Sequence, residues 1–115
     1  MADQIEIQLP KTVINEENAF VATAYFRTRS SKAASIPTTI HYKVDCLTTK
    51  TPLINWTSVS AAANVDLIMT SAVNTIQSAD SHFETKQLLV KSDSGLSTQA
   101  IGRTTWKVQN LHGIG

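Results

Sequence analysis

Thr39-Ile40-His41-Tyr42-Lys43-Val44-Asp45-Cys46 is the stretch on which the fold of this chain turns. Ile40, Tyr42, Val44 and Cys46 alternate without a fault against His41, Lys43 and Asp45. Successive side chains of an extended strand point to opposite faces, so a period of two puts the apolar set on one side and the polar set on the other. The segment is expected to be a strand with one buried face. An open sheet would leave that face in water, so a second layer has to cover it.

Outward from this strand the same grammar repeats. Ile5, Ile7 and Leu9 alternate with Glu6 and Gln8 before Pro10, which cannot donate to a ladder and suits a strand end. In Ala19 to Arg27, Phe20, Ala22, Ala24 and Phe26 share one face while Val21 and Tyr25 lie on the other, as expected of a central strand and of a protein contact. Thr28 to Pro37 is a polar loop whose proline holds Ile36 extended. Leu53 to Val59, after Pro52, and Val65 to Met69 give two more strands, with Ala61-Ala62-Ala63 as a connection, because no apolar stripe at helical spacing continues from it. Gln77 to His82 is turn-like. Phe83 to Lys91 and Ser97 to Asn110 flank Asp93-Ser94-Gly95 and are expected to pair as a hairpin, with Trp106 and Val108 on one face. About seven strands without a helix predict an all-β, two-sheet sandwich, with Tyr42, Trp56 and Trp106 between the layers. The length of 115 residues suits one domain, residues 1–115.

Composition narrows the function. Only 17% of residues are charged, and ten basic against nine acidic side chains give a net charge of +1. That lacks the broad positive field by which nucleic-acid binders displace counterions, so no nucleic acid is expected. The first ten residues are not a basic segment followed by an apolar run, so synthesis in a cytoplasm is expected. No run of about 18 apolar residues predicts a membrane span. Cys46 is the single cysteine and has no partner for an internal disulfide.

Chemistry-bearing motifs are sparse. His82-Phe83-Glu84 has the H-x-E spacing of zinc deaminases, yet the P-C-x-x-C that must accompany it is missing, and an exposed strand entrance explains it. His41, His82 and His112 fall in separate elements, and Asp93-Ser94-Gly95 offers one carboxylate where calcium wants six or more oxygens. Cys46 and His41, five apart on one strand, project to opposite faces, so Cys46 reads as a buried thiol. The expected catalytic residues, metal ligands and cofactors are therefore none, and the chain reads as a non-enzymatic binding protein. Its candidate partner-binding residues are the basic group Arg27, Arg29 and Lys32 near the loop after the second strand, with Tyr25 and Trp56 as aromatic anchors. A carbohydrate-binding or adhesion module, with Trp56 or Tyr25 stacked on a sugar, is the alternative.

PTTIHYKVD (Pro37 to Asp45) and VKSDSGLST (Val90 to Thr98) resemble the third strand and last hairpin of fibronectin type III and other immunoglobulin-like modules. With INWTSVS (Ile54 to Ser60), FETKQLLV (Phe83 to Val90) and WKVQNLHGIG (Trp106 to Gly115), the chain also resembles small proteins of tailed-bacteriophage structural gene clusters. The resemblance implies an immunoglobulin-like structural protein of the virion, assembled in the host cytoplasm. It would occupy the capsid surface as a decoration, the neck or the tail, as a homo-oligomer or in multiple copies that touch other virion proteins. It transfers no functional residue. Cys46 lacks a facing cysteine, and Phe83 opens the sixth strand where antibody-type domains carry a tyrosine corner, so any likeness is to the disulfide-free kinds.

Overall fold

The computed structural model describes residues 4–28, 31–78, 82–93 and 99–110. They form eight strands and no helix: β1 Gln4–Gln8, β2 Val13–Asn15, β3 Phe20–Arg27, β4 Thr39–Cys46, β5 Thr51–Val59, β6 Asn64–Met69, β7 Phe83–Asp93 and β8 Gln99–Gln109. One sheet has three strands in the order β1-β3-β6, the other five in the order β2-β8-β7-β4-β5. All neighbours are antiparallel except β2, which runs parallel to β8.

The decisive alternation lies in β4: Ile40, Val44 and Cys46 are buried, while His41, Lys43 and Asp45 occupy the other face. Ala22, Ala24 and Phe26 of β3 and Leu67 and Met69 of β6 meet Ile40, Val44, Leu88, Val90, Trp106 and Val108 from the five-stranded sheet in one apolar cluster. Each large side chain so enclosed adds about 1.5–3 kcal/mol through loss of contact with water. Trp106 is 1% exposed and stands edge-on to Phe20, with ring centroids 5.2 Å apart. The two sheets thus cover each other.

Three features depart from expectation. The strands number eight, because β2 adds a short segment in which Ile14 alone turns inward. After Pro10 the chain leaves the three-stranded sheet and joins the other one. Hydrogen bonds Lys107 N–H to Thr12 O and Glu16 N–H to Gln109 O extend the β2–β8 pairing at both ends. Trp56 is outside the layer between the sheets, 43% exposed on edge strand β5, because the β4–β5 register shifts between Tyr42 and Val44. Pro52 sits within that edge strand, opposite Asp45, the kind of strand in which proline is tolerated. β7 and β8 pair along their full length, and the turn Ser94-Gly95 lies outside the described residues.

Candidate functional site

Register lays out the exposed side of the five-stranded sheet. On β4, β7 and β8, His41, Lys91 and Ile101 make one row, and Lys43, Leu89 and Arg103 make the next. Trp56 flanks these rows from β5. The Lys91 Nζ lies 4.6 Å from its ring centroid and the Lys43 Nζ 5.7 Å away, so one indole attracts two ammonium groups. Lys43 also pairs with Asp45 at 3.3 Å.

Tyr25 and Arg27 come together elsewhere, on the outer face of the three-stranded sheet. The Arg27 guanidinium lies 5.6 Å from the Tyr25 ring and its Nε is 3.8 Å from Glu6 Oε2. Past β3 the chain folds back, with Thr28 N–H bonded to Ala33 O and Ser35 N–H to Phe26 O. Lys32, at φ 60°, sits exposed in this turn. Arg29 lies outside the described residues. The sequence-derived set therefore divides: Tyr25, Arg27 and Lys32 belong to one region, and Trp56 to the opposite side of the molecule. Lys43 and Lys91, which approach Trp56, and Arg103, which shares a row with Lys43, were not singled out from sequence. Alternation marked the first as outward, but neighbourhood across strands needs the register.

Beneath the surface is a second cluster. Glu84 was expected at an exposed strand entrance, but it is fully buried, because β7 turns Leu88 and Val90 inward and Glu84 and Lys86 share their face. Glu84 Oε1 accepts from Gln77 N–H at 2.6 Å and from Lys86 Nζ at 3.0 Å, and Oε2 accepts from Ser78 N–H at 2.7 Å. Lys86 Nζ also donates to Thr75 O at 2.9 Å, and the Cys46 thiol donates to Glu84 Oε1 over 3.7 Å. Burial pushes the Glu84 pKa up. The Gln77 hydrogen bond, the Lys86 bond, the Ser78 bond and the Lys86 charge outweigh it, so the carboxyl sits below its ordinary value. The cluster is buried and its two charges pair with each other, which fits a clamp on residues 75–78.

Among the described residues no three His, Cys, Asp or Glu side chains gather as metal ligands. His41 lies on the outer face and Cys46 on the inner one. A cleft of about 430 Å³ opens where the chain changes sheets, between Pro10, Val13, Asn18, Phe20 and Gln109. No family model, curated protein or solved structure matches this chain.

Proposed function

We propose that the chain is an immunoglobulin-like module that works by holding other proteins in an assembly, as a structural component of a tailed-phage particle. The immunoglobulin-like part is supported by strand order. β1, β3 and β6 stand as strands A, B and E of such domains, and β8, β7, β4 and β5 as G, F, C and C′. The phage setting rests on the resemblance of Ile54 to Ser60, Phe83 to Val90 and Trp106 to Gly115 to small proteins of tailed-bacteriophage structural gene clusters.

One observation carries the assembly reading. Among the described residues β6 is bonded on one side, by β3, and beside its other edge Ile68 and its register partner Val21 are 61% and 45% exposed. An apolar pair beside the outer edge of a sheet is a surface that a partner strand can cover, gaining both apolar burial and ladder hydrogen bonds. Mass spectrometry of purified particles tests the setting: the protein is expected in mature particles at a fixed copy number, and its absence removes the virion reading. Ile68→Glu tests the surface. It is expected to leave the isolated domain folded and to abolish incorporation, and normal incorporation of the variant refutes a role for this edge.

A further inference from the structure

We propose that the outer face of the five-stranded sheet binds an acidic polysaccharide, with Lys43 and Lys91 beside Trp56 and Arg103 across β7 as the anion-binding groups. The proposal stands apart from the assembly reading, which uses the opposite sheet. Lys43 and Arg103 flank Leu89 in one row across β4, β7 and β8, which at about 4.8 Å per strand puts their backbones about 10 Å apart. Lys91 stands two residues along β7 from Leu89, at the apex of the triangle. Trp56 draws the Lys43 and Lys91 ammonium groups to one ring despite their mutual repulsion. An anion between them relieves that repulsion and gains two charge-assisted contacts.

The low density of charge selects the ligand. Duplex DNA presents one charge per about 1.7 Å of axis and is matched by dense basic surfaces, whereas this chain carries +1 overall. Here Lys43 and Lys91 share one indole and Arg103 stands across β7 from them, with exposed hydroxyls of Ser58 and Thr105 nearby and two carboxylates on the same face, Asp45 held by Lys43 and Asp93 two residues along β7 from Lys91. Sparse positive charge among hydroxyl and aromatic groups complements a polymer with sparse negative charge among sugar hydroxyls. Carboxylate and phosphate serve equally as the anion.

The test is a titration of the whole chain with polygalacturonate, a phosphodiester-linked glycan, neutral dextran and oligothymidylate, read by calorimetry and tryptophan emission. Trp106 is buried, so a ligand-dependent change reports Trp56. Either acidic glycan is expected to bind and to change the emission, and whichever binds identifies the anion. Lys43→Gln and Lys91→Gln are each expected to weaken binding at least tenfold with unchanged thermal midpoint, while Lys50→Gln, in the β4–β5 turn, binds as the parent does. Equal binding of dextran, tighter binding of oligothymidylate, binding of neither acidic glycan, or full binding by both Lys→Gln variants overturns the proposal.

Discussion

Trp106 Nε1 donates a hydrogen bond to Asn74 Oδ1 over 2.8 Å, with both side chains closed off from water. Asn74 Nδ2 donates in turn to Asn18 O at 2.6 Å, and its backbone carbonyl accepts from Glu17 N–H at 2.8 Å. One amide thereby joins the core tryptophan, the segment after β6 and the turn before β3. Asn74→Ala leaves the indole N–H unpaired. The exposed Asn18 carbonyl takes water in place of the amide, so the expected loss is about 1–3 kcal/mol for the buried indole N–H, measured as a lower urea midpoint with unchanged slope.

Glu84 and Lys86 are expected to behave as a unit. Glu84→Ala strands a buried ammonium and deprives Gln77 and Ser78 N–H of their acceptor, and Lys86→Ala leaves a buried carboxylate with its two backbone donors. Each is expected to cost about 3–5 kcal/mol, because the remaining charge has lost its partner. The Glu84→Ala/Lys86→Ala double variant is expected to cost less than the sum of its single changes. Equilibrium unfolding of the four proteins gives the coupling, and strict additivity would refute the pairing.

Acid is expected to weaken the same clamp. Folding lowers the Glu84 pKa, so its contribution is complete above the ordinary glutamate value, about 4.3, and is lost as pH falls through the lower folded value. The stability difference between the parent and Glu84→Gln is expected to hold constant from pH 8 to about pH 5 and to shrink below about pH 4. Unfolding curves across that range check the sign.

Gly102 of β8 faces Ile5 of β1, and a methyl group there would lie 2.8 Å from Ile5 Cγ2 and 3.0 Å from its Cβ. This approach ties the first strand of one sheet against the other sheet. Gly102→Ala is expected to destabilise by about 1–3 kcal/mol through overpacking. Adding Ile5→Ala should recover part of the loss, which a thermal melt of the double variant measures.

The inward faces of β3 and β4 and the buried place of Trp106 were legible, because unbroken alternation admits one register when one side must be apolar. β7 offered no such certainty. Phe83, Thr85, Gln87 and Leu89 compete with Glu84, Lys86, Leu88 and Val90, and a one-residue shift exchanges the sets. The structure buries the second, carrying two charges inward with it. The backbone groups of Thr75, Gln77 and Ser78 that make this tolerable come from a segment without periodicity. β2 is too short to alternate. Trp56 could not be placed without the irregularity between Tyr42 and Val44, nor could its distance from Tyr25 and Arg27 be read before strands were assigned to sheets.

The parallel pairing of β2 with β8 sets how the molecule carries tension. Pulling the chain ahead of Val13 and beyond Gln109 in opposite directions drags the two strands lengthwise past each other. The bonds of the pair, including those of Thr12 and Glu16 at its ends, then share the load and must yield in concert. Antiparallel neighbours pulled from adjacent ends would instead open one bond at a time. A domain with this fastening resists being drawn out by its ends, a mechanical property suited to a part held between heavier bodies.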